Sequence, residues 1–416
     1  MTTTGQCGLD GRTLNNAGVL TITSTLYIYN SAVLNNLAGG TLTLAGGTVN
    51  GLYASASAAC YNAGSILTTG NSGFSRIAFS NSGAVELLSG SLNVQPFARV
   101  IHTGSFSCPA GVTLTFDSYA GTNVLAASSS VTGAGAVVFG RGWTDVNGTY
   151  NVTGSTTLAG YIGDTVLNFN PGMNLVTLGN PVSVSSGTVN FNTGTPLALQ
   201  SLTLSSGILQ GNDPVTVNGP LLLSDGRSTL GGSGVITANG GLAISPAGNS
   251  YYVDGRTLIN PGPATITNAV LSFLNGGVLS NLAGATLTIA ASTLSGYLAI
   301  PSATLYNAGT IRSRANSTFF DPSFNNSGTV EVPSGILRVS GPLSNAPLGS
   351  FNFPIVGRVL GSNYGQLSVS ETFPLAGTLK VNVTNGFLPA VGDSFRILTW
   401  GHAAAGSRKQ PDWTYR

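Results

Sequence analysis

Charged side chains are scarce in this sequence. Lys plus Arg number 15 and Asp plus Glu 13, together 7% of 416 residues, where an average soluble domain carries about 25%. Only Lys380 and Lys409 are lysines. A helical bundle keeps its outer faces wet with Lys, Glu and Arg, so that class is excluded. A net charge of +2 offers no basic surface to a phosphate backbone, and no nucleic-acid partner is expected. Long apolar runs are also missing. No stretch of ~18 residues is free of polar ones, so no membrane span is expected in this chain. The opening Met1-Thr2-Thr3-Thr4-Gly5-Gln6 lacks a basic start and an apolar stretch, unlike a secretory signal peptide. The chain is therefore expected to be part of a longer polypeptide extending upstream.

Cysteine and histidine are nearly absent. Cys7, Cys60 and Cys108 are an odd set with no Cys-x-x-Cys pair, which excludes a closed disulfide framework and a zinc site of that type. His102 and His402 stand 300 residues apart with no His-Glu-x-x-His, so no transition-metal site is expected. The glycine–aspartate calcium repeat is missing too. No metal and no cofactor are expected.

What the chain does have is glycine and apolar residues. Glycine numbers 58 and hydrophobic residues make up 42%, too apolar for a disordered chain. With so little charge, the surface must be covered by Thr, Ser, Asn and Gly. Residues 36–94 recur at 281–339, shifted by 245. Asn36-Leu37-Ala38-Gly39 returns as Asn281-Leu282-Ala283-Gly284, and Tyr61-Asn62-Ala63-Gly64 as Tyr306-Asn307-Ala308-Gly309. From 35 to 94 the pairing needs no gap and gives 31 identities in 60. Upstream, Asp10-Gly11-Arg12-Thr13-Leu14 matches Asp254-Gly255-Arg256-Thr257-Leu258. Cys60 faces Leu305 in this pairing; a slot that takes either residue is an apolar core position.

A shorter period lies inside the blocks. Asn62 and Asn81 are 19 apart, as are Asn307 and Asn326, while Asn16 and Asn36 are 20 apart. Each precedes a glycine corner and a short alternating stretch such as Thr41-Leu42-Thr43-Leu44. Alternation marks half-buried strands. Gly and Asn are expected to supply positive φ at the corners. Strands of four or five residues on a period near 20 predict an all-β parallel β-solenoid: a single elongated rod of roughly 20 turns, on the order of 100 Å long. A β-sandwich array would space its strands differently, in domains of ~100 residues. Leu42, Leu44, Val85, Leu87, Leu287, Ile289, Val330 and Val332 are expected to point inward. The segments read as an N-terminal leader at 1–9, a repeat block at 10–94 and spacer turns at 95–253. A duplicate block at 254–339, a closing β segment at 340–400 and a loose tail at 401–416 follow.

The phrase Phe79-Ser80-Asn81-Ser82-Gly83-Ala84-Val85-Glu86 and its twin Phe324-Asn325-Asn326-Ser327-Gly328-Thr329-Val330-Glu331 resemble the repeats of large secreted bacterial proteins. So do Val131-Thr132-Gly133-Ala134-Gly135 and Val146-Asn147-Gly148-Thr149-Tyr150-Asn151-Val152. The family resembled is the passenger region of autotransporter and haemagglutinin-like adhesins. Tyr364-Gly365-Gln366-Leu367-Ser368-Val369 and Gly392-Asp393-Ser394-Phe395-Arg396-Ile397-Leu398 look like the segment that closes such arrays. The resemblance implies a right-handed parallel β-helix. It also implies a non-enzymatic, extracellular or cell-surface scaffold or adhesin segment. Its partners would be surface glycans or the surface of a host or neighbouring cell.

Two other functions fit the same architecture. Polysaccharide lyases and hydrolases also use β-helices, and hydrolysis needs two carboxylates about 5 to 10 Å apart. The best pair is Asp145 and Asp164, 19 apart, with Arg141 nearby; both sit beside corners, where Asp commonly serves a turn. Pairs such as Thr21/Thr23, Thr41/Thr43, Thr113/Thr115, Thr265/Thr267 and Thr286/Thr288 suggest an ice-binding face, although Thr is also the common uncharged strand residue and the pairs are discontinuous. Asp-Gly-Arg at 10–12, 225–227 and 254–256 reads as a tight turn with Gly in the left-handed position. Tyr27, Tyr29, Tyr251, Tyr252, Tyr297 and Tyr306 are expected at the surface, where tyrosines can stack on sugar rings. No catalytic, cofactor-binding or metal residue is assigned.

Overall fold

The structure is a computed structural model, and it describes residues 2–3, 5, 7–51, 58–118, 121–161, 163–245, 249–296, 302–372 and 376–402. Among these there are short strands and no helix, and so no helix long and apolar enough to cross a membrane. The expected tail at 401–416 lies outside the described residues from 403 onward. The chain forms two compact units. The first holds residues 1–195, 199–202 and 207–213; the second holds 196–198, 203–206 and 214–416.

Each unit is a parallel β-solenoid of the right-handed type. In the first, Val19–Ile22, Thr41–Ala45, Ser65–Thr69, Ala84–Leu87, Ser105–Ser107, Ser130–Gly133 and Thr149–Val152 pair in parallel, in that order. Two further strands separate each from the next, so one turn is three strands on three faces. The second unit repeats the plan with Thr257–Asn260, Val278–Asn281, Thr304–Asn307, Ser323–Asn326 and Leu343–Asn345. There are about 15 turns rather than the expected 20. The difference comes from turns longer than the shortest repeat. Asn36 to Asn62 spans 26 residues and Asn352 to Asn382 spans 30, against 19 from Asn62 to Asn81.

Alternation places the core. All eight residues expected to point inward are at most 1% exposed. Cys60 and Leu305 are both fully buried, each between an inward Leu and an inward Phe of the adjacent turns. Burial drives the Cys60 thiol far above its usual pKa. In the first unit the core carries a continuous aromatic column: Phe74, Phe79, His102, Phe106, Phe116, Phe139, Tyr150, Phe169 and Phe191, with successive centroids 3.7 to 6.1 Å apart. Stacking of this kind adds to the burial of each ring.

The corner asparagines form two internal ladders. Asn16, Asn36, Asn62 and Asn81 donate in series, each Nδ2 to the Oδ1 of the next, at 2.7 Å. Asn260, Asn281, Asn307, Asn326 and Asn345 do the same at 2.7 to 2.8 Å. The second amide hydrogen reaches backbone, as in Asn62 to the Ala84 carbonyl at 3.2 Å and Asn307 to the Thr329 carbonyl at 3.1 Å. Buried amides are tolerable where both ends are satisfied, as at the inner rungs Asn36, Asn62, Asn281, Asn307 and Asn326.

Positive φ occurs as expected at the corner glycines Gly39 and Gly284, 82° and 83°, but not at Gly83 or Gly328, two residues after Asn81 and Asn326. Instead, a Cβ on Gly83 would strike the Gly64 carbonyl oxygen, and one on Gly328 that of Gly309. These corners need glycine for space, because successive turns stack too closely for a side chain.

Candidate functional site: a duplicated tyrosine groove

The carboxylates were the first candidates for chemistry, and the register separates the best pair. Asp145 pairs with Asn168, and Gly142 with Thr165. Asp164 therefore lies alongside Arg141, with its carbonyl accepting from the Gly142 N–H at 2.9 Å. Four residues of strand separate it from Asp145, roughly 13 Å, beyond the catalytic range. The turn here is 23 residues long, so a spacing of 19 does not stack. Asp145 instead accepts from Asn168 Nδ2 at 2.7 Å, and Asn168 accepts from Asn190 at 2.7 Å. Arg141 belongs to Asp117, by an ion pair at 3.4 Å and a backbone N–H bond at 2.9 Å.

Other acids are engaged singly. Buried Asp213 accepts from the Thr193 and Gly194 N–H groups at 2.6 and 2.9 Å. Asp10 and Asp254 accept from Asn30 and Asn275 at 2.7 and 2.6 Å. Glu331 pairs with Arg312 and Asp393 with Arg358, both at 2.9 Å. The Arg358 guanidinium, with the Ala390 N–H, holds the Asp393 carboxyl below the usual carboxylate range. Among the described residues no three His, Cys, Asp or Glu side chains gather as metal ligands.

The Asp-Gly-Arg segments differ from one another. Gly11 and Gly255 take positive φ of 57° and 67°, as a tight turn requires. At the third, Asp225 and Arg227 take the left-handed conformation at 62° and 78°, and Gly226 does not. Arg256 is fully buried, so that copy does not present its arginine at the surface. The Thr pairs are out of phase between turns: Thr265 pairs with Thr288, but Thr267 pairs with Ala290 and Thr286 with Pro263.

His102 sits in the core where the first ladder would place its next asparagine. Its Nδ1 accepts from the Asn81 N–H at 3.3 Å, and its Nε2 lies 3.2 Å from Asn123 Oδ1. A neutral ring with the proton on Nε2 satisfies both. Burial lowers its pKa from 6.5 to about 4, partly opposed by the Asn123 hydrogen bond. The side chain of His402 lies outside the described residues.

Among the described residues, two exposed tyrosines stand in grooves with the shape of a binding site. Tyr27, Tyr29 and Tyr252 are half-buried, and Tyr297 lies outside the described residues. Tyr251 is fully buried, because alternation along its strand puts it on the same inward side as Val253. Tyr306 is 49% exposed, and so is Tyr61, its partner in the duplication. Tyr61 was not singled out from sequence, although the duplication pairs the two.

Each tyrosine stands in a groove above its asparagine ladder. The first groove, about 290 Å³, is lined by Asn35, Leu37, Tyr61, Ser80, Ser82 and Ile101 over ladder residues Asn36, Asn62 and Asn81. The second, about 430 Å³, is lined by Ser280, Tyr306, Asn325, Ser327, Ser344 and Ala346 over Asn307, Asn326 and Asn345. Neither contains a charged residue. Some rim amides and hydroxyls are already bonded along the coil, as Asn35 to Asn15 at 2.8 Å and Ser344 to Asn325 at 2.6 Å. No protein family matches the chain, and no curated protein matches it in sequence.

Proposed function

We propose that this chain is a non-enzymatic scaffold or adhesin segment at the cell surface or outside the cell, presenting its strand faces to surface glycans or to another cell. The observation that carries this reading is the use made of the acids. The carboxylates of Asp117, Asp145, Asp213 and Glu331 are each held by amides, backbone N–H groups or an arginine on an adjacent turn. They serve ladders and corners, and none of them lines either of the two described grooves. The uncharged Thr, Ser and Asn exterior supports it, since such a surface carries hydroxyls and amides without the repulsion of a single-sign field.

The test is adhesion of particles coated with the purified chain to bacterial and animal cells, run beside an assay for polysaccharide cleavage. Adhesion above that of uncoated particles, with no new reducing ends or unsaturated products from polygalacturonate or alginate, is the expected result. Turnover that disappears in Asp164→Asn would replace the scaffold reading with an enzyme.

A further inference from the structure

We propose that the Tyr61 and Tyr306 grooves are two equivalent binding sites for a neutral glycan, each stacking one sugar ring on its tyrosine. The proposal rests on the surface-scaffold reading and assigns its contact points.

The fold does not require an aromatic at these positions. The same outward position is Asn35 on one neighbouring turn and Ser80 on the next. Around Tyr306 it is Ser280 and Asn325. A Thr or Ser would complete the strand equally well, yet both copies carry a half-exposed Tyr. About half of the paired positions, 31 of 60, are identical between the copies. On the other faces of the coil, Leu67, Thr69 and Asn93 correspond to Arg312, Arg314 and Arg338. Within the groove, Tyr61, Ala63 and Ser82 are matched by Tyr306, Ala308 and Ser327, while Asn35 and Ser80 are replaced by Ser280 and Asn325, and Ile101 lines the first groove where Ser344 and Ala346 line the second. Ladder stability accounts for retaining Asn62 and Asn81. It does not account for retaining the tyrosine.

The chemistry favours a sugar. A tyrosine face offers apolar area to the C–H side of a pyranose, and the phenol keeps a polar edge. The amides and hydroxyls around it both donate and accept, which suits sugar hydroxyls. With no cation in either lining, a carboxylated or sulfated sugar would leave its charge unpaired. The volumes lie near the lower end of the ~300–1,000 Å³ range of small-molecule sites, suiting a short stretch of glycan. The ladder beneath fixes the floor, so little ordering opposes binding.

The experiment is titration of the full chain with cellohexaose, maltohexaose and mannohexaose, with polygalacturonate as the acidic comparison. Calorimetry and tyrosine fluorescence are the readouts. At least one neutral hexasaccharide is expected to bind at two sites per chain. Tyr61→Ala and Tyr306→Ala should each reduce the count to one, weakening the altered site at least tenfold, and the double variant should not bind. Tyr161→Ala, at a 64% exposed tyrosine outside both grooves, should bind as the parent does. Melting curves establish that each variant is folded; Tyr61→Phe and Tyr306→Phe, which retain the ring, should keep most of the affinity. No neutral binding, binding of polygalacturonate alone, or binding unchanged in the double variant would overturn the proposal. Cell adhesion by a double variant that has lost no affinity for cells would also overturn it while leaving the scaffold reading intact. Failure of the parent chain to adhere would count against the scaffold reading, and the hexasaccharide titration would still decide the grooves.

Discussion

The two copies of the duplicated block solve the same packing problem and end their ladders differently. Asn36, Asn62 and Asn81 occupy the positions of Asn281, Asn307 and Asn326, and each chain of amides is buried. Above Asn81 the first series gives way to His102 and the aromatic column. Above Asn326 the second continues to Asn345, whose Nδ2 reaches the Ala376 carbonyl at 2.6 Å. The beginnings differ too. Asn16 is half-buried, whereas Asn260 is fully buried and its Oδ1 has no hydrogen-bond partner. A rung between two others has both amide ends engaged; at the far ends Asn81 and Asn345 turn to the Ser105 and Ala376 carbonyls, and at the near end of the second ladder Asn260 Oδ1 is left unpaired.

Breaking the shared core should produce the largest effect. Val330→Asp, and Val85→Asp in the first copy, each put a carboxylate into an apolar file and should cost more than about 4 kcal/mol, read by urea denaturation. Loss of either variant's effect would mean that copy's strand is not inward. Interrupting a ladder comes next. Asn62→Ala or Asn307→Ala strands the amide on each side and should cost about 3 kcal/mol, with matching values expected in the two copies.

Acid should sharpen the difference between the copies. The folded pKa of His102, about 4, lies below its ordinary 6.5, so the unfolded chain binds the proton more readily. Stability from this residue is therefore full above about pH 6.5 and falls as pH drops toward 4, by up to about 3 kcal/mol. Melting curves from pH 7 to 4 should show this loss, and His102→Asn should reduce it. Equal loss in that variant would locate the sensitivity elsewhere. The smallest effect belongs to the surface. Glu331 pairs with Arg312, but its counterpart Glu86 faces Leu67. Glu331→Gln should cost less than about 1 kcal/mol and Glu86→Gln about nothing, in the same denaturation series.

The parts readable from sequence were those set by periodicity. Alternation identified the inward files, and the offset of 245 identified Cys60 and Leu305 as one core slot. Vertical neighbours were harder, because turn length varies from 19 to 30 residues. A constant spacing would stack Asp164 with Asp145; the 23-residue turn puts Asn168 there. His102 was read only as an isolated histidine, since its role depends on which residues lie above and below it. The corner glycines were expected for their φ, but at Gly83 and Gly328 the constraint is space between turns, which local sequence does not reveal. Tyr61 needed both insights, the duplication to pair it with Tyr306 and the register to show a smaller residue on either side.

The buried ladders are the common spine of both copies and the floor of both grooves. Proton exchange of the asparagine side-chain amides, followed by NMR in deuterated solvent, tests them most directly. The side-chain amides of Asn36, Asn62, Asn281, Asn307 and Asn326 should exchange orders of magnitude more slowly than that of outward-facing Asn35, and at similar rates in the two copies. Exchange as fast as that of Asn35 would mean the amides are open to water and the ladder account is wrong.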